Sequence, residues 1–437
     1  MKIFPPAIAG ERDTHRFRLL LTVAVFIILF MASIGRTEDT PPELSALIAE
    51  AMENNQELRS IEDKVRAMEE EAPAVGSLQD PMVGIALANV PIDSFDFAQE
   101  PMTQKQLFVS QKFPWFGTLP LKERIVTLKA LEQERVLEAR KLAIARQVAE
   151  TWYELLFIDR NLEVNARLSA IVTQILKVAE TRYSTGVGLQ QDVLAAQVQL
   201  SELIEENVAL ESKKRSLADR IGSLLNRTGS YLQENVELAM PESAFDAEVL
   251  TAKALRFSPQ LEAQRIARER AGLEIELAEK DYMPNIDVRL GYGQREDTPT
   301  GVDRSDFLSV GATFSVPLWQ NTKQDNNLAA AKRRLLAAEK GLRGLELALP
   351  HKIDGVLAEI ESATENRKLF ADVLSFQAGQ LADSSLAAYS VGKLEFNTML
   401  AARLRLERIE LKSERYKFDI YKKLAELKEM VGSPLTY

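Results

Sequence analysis

Reactive side chains are scarce in this 437-residue chain. It has no cysteine, which excludes thiol nucleophiles, disulfides, zinc fingers and iron–sulfur clusters. Past the first 35 residues there is one histidine, His351, directly after Pro350 in a helical pattern, where a lone imidazole is a structural residue. No HExxH, P-loop or nucleophile elbow occurs, and GYG at 291–293 runs into QRE rather than a phosphate loop. The ten methionines are scattered and build no soft-metal site. The composition therefore predicts no catalytic residue, no metal site and no cofactor, and argues against an enzyme. Carboxylates remain. Most read as solvated helix faces. Two, Asp192 and Glu395, stand beside glycine-bearing turns that the chain makes twice.

Those turns belong to a duplication. TRYSTGVGLQQDVLAAQ (181–197) reappears as AAYSVGKLEFNTMLAAR (387–403), with Tyr183 on Tyr389, Gly186 on Gly392 and Leu194 on Leu400. Upstream, Leu47, Ala51 and Leu58 fall on Leu250, Ala254 and Leu261 at an offset of 203, which also carries Pro81 onto Pro284 and Pro114 onto Pro317. The offset becomes 206 by Tyr183, a drift of only three. Repeats at near-constant spacing signal a duplicated unit, here about 44–240 and 245–437.

Within each copy the hydrophobic period changes. In 285–293 Ile286, Val288, Leu290 and Tyr292 alternate with polar or small residues. In 306–316 Leu308, Val310, Ala312, Phe314 and Val316 do the same. This period of two predicts strands with one apolar face. Copy one predicts strands at 82–90 and 103–113, with Val83, Ile85, Leu87, Leu107, Val109 and Phe113 apolar and Gln111 the exception. Each hairpin is followed by a long helical stretch, a glycine turn and a helical return. The helices are expected at 120–184 and 189–226, then 326–388 and 394–430, with a kink at Pro350. Leu189, Ala196, Leu203, Leu210, Leu217 and Leu224 recur every seven residues, the seam of a coiled coil. Met399, Leu406, Ile420 and Leu427 form a second seam, broken by Ser413. Gly186 and Gly392 supply the left-handed backbone that ends one helix, and Asp192 sits in the first turn of the next, where a carboxylate suits the dipole.

The N-terminus reads as an export signal over 1–35. Arg12, Arg16 and Arg18 precede the apolar run Leu19–Ala32, and small residues follow at Ser33 and Gly35. The run is shorter than the ~20 residues of a spanning helix. The net charge of −10 argues against a nucleic-acid partner. An exported chain with four lipid-type strands meets a physical obstacle. Open strand edges in lipid cost several kcal/mol per unsatisfied group, and membrane barrels need about eight strands or more. Four strands cannot close alone, so several chains must combine. The helices carry charges throughout and must project into water below the barrel.

These features resemble the outer-membrane efflux proteins, the TolC-like channels, over nearly the whole chain after the leader. The resemblance rests on the paired tips, on the strand exits FPWFG (113–117) and SVPLW (315–319), and on the strand entries DPMVGIALANVP (80–91) and YMPNIDVRLGYG (282–293). The segment QKFPWFGTLPLKE (111–123) is similar to the branch that serves heavy-metal pumps. The resemblance implies a mainly α fold with a β-barrel part: long antiparallel coiled-coil helices plus two β-hairpins, trimerising into a twelve-stranded outer-membrane barrel over a periplasmic helical tube. It implies a homotrimer acting as exit duct with a periplasmic adaptor (membrane fusion) protein and an inner-membrane pump. Metal cations or small toxic compounds would be the cargo. A type I protein-secretion channel and a periplasmic coiled-coil structural protein are the alternatives. The adaptor-contact positions would be Gly186, Val187, Gly188 and Leu189 in the first tip, and Val391, Gly392 and Lys393 in the second. Familiar members close the pore with acids just after the second tip, where this chain has Thr398 and Ala401. That leaves Asp192 and Glu395 as gate carboxylates, which in a narrow pore attract cations.

Overall fold

The structure, a computed structural model, describes residues 40–229, 231, 236–240 and 245–433. The export-signal run 1–35 lies outside the described residues. Each copy opens with two helices that the sequence reading had aligned without giving them a conformation: α1 (Pro42–Asn54) and α2 (Gln56–Gly76), then α5 (Ala247–Phe257) and α6 (Pro259–Lys280). Their starts are locally encoded. Asn55 Oδ1 accepts from the backbone N–H of Glu57 and Leu58 at 3.0 and 3.2 Å, and Asp246 Oδ1 does the same for Glu248 and Val249 at 2.8 and 3.2 Å.

The strands are β1 (Met82–Ala88), β2 (Gln104–Phe113), β3 (Ile286–Gln294) and β4 (Phe307–Phe314), paired antiparallel in the order β1-β2-β3-β4. The register aligns Val83, Val109, Leu290 and Val310 in one row and Ile85, Leu107, Tyr292 and Leu308 in the next. All eight side chains are exposed and form one apolar face of the sheet. Gln111 shares this face at its helix-side end, where its amide donates to Gln79 O at 2.7 Å. The opposite face carries Gly84, Phe108, Gly291 and Ser309 in one row, and Arg289 lies over the Phe108 ring at 3.4 Å from its centroid. A Cβ on Gly84 would come within 2.4 Å of that ring, so the ring would have to shift.

The long helices are α3 (Thr118–Ser184) and its return α4 (Gln190–Leu224), then α7 (Gln324–Lys368), a π-helical segment (Leu369–Leu374), α8 (Ser375–Ser390) and its return α9 (Phe396–Val431). On α3 the buried positions Leu137, Ile144, Thr151, Ile158, Asn165, Val172 and Ala179 recur every seven residues and face Ala196, Leu203 and Leu210 of α4. A strict seven-residue repeat keeps the seam between two supercoiled helices. Asn226, with φ 53°, ends α4 in a Schellman motif: the N–H of Arg227 reaches Gly222 O and that of Asn226 reaches Ser223 O.

The helix continues through Pro350, and its hydrogen-bonding pattern departs from α geometry at Leu369–Leu374. The cause is phase. Leu342, Leu349, Val356 and Ala363 follow a spacing of seven, but the next seam residues, Ala378 and Ser385, lie 15 and 22 beyond Ala363. That is one residue more than whole heptads allow, and a π turn absorbs one residue. Ser413 does not break the α9 seam either, for it is buried in line with Met399, Ile420 and Leu427. The three-residue drift between copies also has a location: Pro114 and Pro317 still match at 203, while the helix starts at Thr118 and Gln324 match at 206.

The largest core lies mid-length, where α1, α3, α4 and α9 meet around Trp152, Leu155, Ile158, Leu44 and Phe418. Beside it Glu154 of α3 accepts hydrogen bonds from Lys213 of α4 and from Arg415 and Lys422 of α9, each at 2.8 Å. Burial pushes this carboxyl up. Hydrogen bonds from Lys213 and Lys422, and the charges of Lys422 and Arg415, outweigh it and hold the pKa at about 2, against 4.5 for a free glutamate. A depressed folded-state pKa stabilises the fold above pH 4.5, and this stabilisation is lost as pH falls towards 2. Glu154→Gln should therefore cost about 1–3 kcal/mol near neutral pH. Urea unfolding across pH should show the gap from wild type closing between pH 4.5 and 2; a pH-independent gap would mean that packing, not charge, is lost.

Candidate functional site

The two tips are built by the same backbone device. In the first, the N–H groups of Gly186 and Val187 donate to Tyr183 O and Arg182 O at 3.0 and 2.9 Å. In the second, Gly392 and Lys393 donate to Tyr389 O and Ala388 O at 3.0 and 2.9 Å. Both are Schellman closures, and Gly186 and Gly392 take φ of 75° and 74°. Gly188 also donates to Arg182 O, and a Cβ on it would press within 3.0 Å of that backbone. The turns leave Val187, Leu189 and Val391 exposed by 59 to 70% at the end of the helical wall. Lys393 and Glu395 are exposed as well, and Glu395 is the residue preceding α9.

The copies diverge at their tyrosines. Tyr183 is half-exposed, whereas Tyr389 is buried. Arg182 stacks on the Tyr389 ring at 4.7 Å and donates to Tyr389 O at 3.4 Å, and Phe396 meets the ring edge-on at 5.7 Å. Burial pushes the Tyr389 phenol up; the Arg182 charge opposes this and the Asp192 charge adds to it. Asp192, in the first turn of α4, therefore lies within electrostatic reach of Tyr389. Thr398 and Ala401 are exposed. No local spacing marks Arg182, and Tyr389 stands out in the sequence only as the counterpart of Tyr183. The asymmetry that signals them is Arg182 against Ala388 at the equivalent positions. Behind this contact a cavity of about 530 Å³, lined by Ile171, Ile175, Val178, Leu386, Met399 and Arg403, separates α3 from α8.

Among the described residues no group of three His, Cys, Asp or Glu side chains converges as a metal site, and no helix is long and apolar enough to cross a membrane. The membrane-facing candidate is the sheet. Each strand continues a helix: α2 leads to β1, β2 to α3, α6 to β3 and β4 to α7, and these helices pack side by side in the same order. One chain therefore forms a single wall, sheet above and helices below.

Residues 250–433 match the family described as Outer membrane efflux protein. The first copy, about 44–240, aligns with this stretch at offsets of 203 to 206. Outer membrane protein TolC of Vibrio cholerae serotype O1 is 20% identical over 313 residues, covering 70% of this chain and 71% of that protein. Among solved structures, the outer-membrane channel OprN aligns with a TM-score of 0.76 and 16% identity over 90% of both chains. The outer membrane protein VceC from Vibrio cholerae aligns at 0.73 and 15%, over 90% of this chain and 96% of that one. At these identities the structures establish the fold, a TolC-like arrangement of helical tube and barrel strands, and the family is one of channels.

Proposed function

We propose that this chain is one subunit of a trimeric exit duct in the outer membrane, with its helical part in the periplasm, working with a periplasmic adaptor and an inner-membrane pump. The observation that carries this reading is the four-stranded sheet. Its outward face is a double row of exposed Val, Ile, Leu and Tyr, and its two edges, β1 and β4, have no partner within the described sheet. Apolar strands facing outward with open edges suit lipid only when the barrel is closed by further chains. Three copies give twelve strands and a lumen wide enough to conduct. The tips, Gly186–Leu189 and Val391–Lys393, are the adaptor contacts, because they place exposed apolar side chains at the far end of the rods. Cargo selection lies with the pump. Small solutes are the cargo assigned here, metal cations first, on the likeness of 111–123 to the heavy-metal branch.

Asp192 is the gate carboxylate. It stands in the first turn of α4, within electrostatic reach of Tyr389, and acts as charge in the pore. Glu395, exposed at the helix start, contributes charge alone. In planar bilayers the detergent-purified protein, running as a heat-modifiable oligomer, should conduct, and Asp192→Ala should raise conductance several-fold. Unchanged conductance in that variant would remove Asp192 from the gate. A water-soluble monomer without conductance would replace the duct by a periplasmic coiled-coil rod.

A further inference from the structure

We infer that Arg289 is the charge-selecting residue of the barrel lumen, where three copies set three guanidinium groups in a ring that draws small anions in from the outside medium and holds cations back. This rests on the trimeric duct and adds to it; cargo choice stays with the pump.

Four charged residues stand in the strands. Lys105 shares the apolar face with its partner Leu87 and pairs with Glu296, beyond the end of β3. Lys112 and Asp287 are register partners of opposite sign on the other face, an arrangement in which cross-strand charges offset each other. Arg289 lies on that second face too, in the row of Met82, Ser110 and Gly311. Among the described residues it has no carboxylate partner, and the Phe108 ring holds it instead. Arg295, just past β3, stacks on Phe307 at 4.1 Å in the same manner, but its backbone N–H bonds the Asp306 carboxylate and its guanidinium is spent on Ser305 O and Pro101 O. Arg289 is thus the uncompensated charge of the strands.

Its surroundings leave it open to solvent. The end of the Phe108 ring lies over Gly84, where a built Cβ would meet ring carbons at 2.4 to 2.9 Å. The ring is therefore laid along the sheet, and the guanidinium rests on it at 3.4 Å from the centroid. Gly311, its partner on β4, has nothing within 4 Å of a built Cβ. Stacking on an aromatic face fixes an arginine while its N–H groups at the edge stay available to an anion, and the group keeps its charge at any working pH. A bare guanidinium suits only the watered side of a membrane barrel, and the apolar face already occupies the lipid side.

The field of such a ring reaches roughly 10 Å at about 0.1 M salt and about 3 Å at 1 M. Three unit charges around the lumen then change the local anion-to-cation ratio by about two- to fivefold at the lower salt and little at the higher. The tips carry the opposite sign, at Asp192 and Glu395, so the two mouths of the duct screen opposite ions.

Reversal potentials of the trimer in planar bilayers under a KCl gradient provide the test. Arg289→Gln should lower the chloride-to-potassium permeability ratio about two- to fivefold near 0.1 M salt and leave it unchanged near 1 M, whereas Arg289→Lys should keep the wild-type ratio. The absence of native cysteine lets the charge be restored within one folded protein. Arg289→Cys should match the glutamine variant, recover the ratio with a cationic methanethiosulfonate reagent and fall further with an anionic one. A ratio unmoved by Arg289→Gln and by both reagents would overturn the assignment. So would a shift that persists at high salt, which marks a changed pore shape and not a lost charge. If neither the glutamine nor the cysteine variant assembles as a heat-modifiable trimer, Arg289 is a structural residue and the assignment falls. A wild-type protein that inserts no channel would instead defeat the duct reading on which the ring rests.

Discussion

Val310→Arg is expected to abolish accumulation of the assembled protein in the outer membrane. Val310 is 73% exposed, central in β4 and in register with Leu290, Val109 and Val83 on the outward face. Arginine on the lipid side near mid-depth costs about 2–4 kcal/mol per chain, and a trimer bears that cost three times. The next residue provides the control. Ser309 lies on the opposite face in the row of Gly84, Phe108 and Gly291, so Ser309→Arg should leave assembly intact and alter conduction only. Heat-modifiable oligomer in membrane fractions is the readout. Normal assembly of Val310→Arg would reverse the assignment of the two faces.

The second large effect concerns the tips. Gly186→Val together with Gly392→Val should reduce export-dependent tolerance to that of a strain lacking the gene, while the trimer still assembles. Neither glycine has a neighbour within 4 Å of a built Cβ, so the obstacle is not space. It is the backbone at φ of 75° and 74°, which a β-branched residue adopts only at about 1–3 kcal/mol. The turn would instead open, moving Val187, Leu189 and Val391. Asparagine supplies the discriminating variant. This chain already holds Asn226 at φ 53° to end α4, so Gly186→Asn with Gly392→Asn should retain export. If valine and asparagine fail equally, the tip surface matters more than its backbone. If the trimer is lost, the tips are structural.

The duplication has not produced two equal tips. Tyr389 is buried between Arg182 and Phe396, whereas its counterpart Tyr183 is half-exposed. The first hairpin therefore contributes the arginine, and the second contributes the ring it engages. The π segment is a further difference confined to the second copy. Gene duplication supplies the scaffold, and substitutions at a few positions give the copies different parts in the tip assembly.

The sequence alone determined the periodic features of this protein. The alternation of Val288, Leu290 and Tyr292 specified strand and face, because a side-chain period of two leaves no other arrangement. The sevenfold recurrence of Ala196, Leu203 and Leu210 specified a helix packed along one seam, and Gly186 and Gly392 specified where the rods turn. These signals are local, carried by residues a few positions apart. Tertiary structure decided what depends on partners distant in the chain. The carboxylate of Glu154 is held by Lys213, Arg415 and Lys422, and Arg182 meets Tyr389 across 207 residues. Pro350 stays within a continuous helix and the irregularity falls at Leu369–Leu374, because the phase of a seam is set by the helix it faces. Which faces remain bare, and hence where another copy fits, follows from packing between elements that no local spacing records.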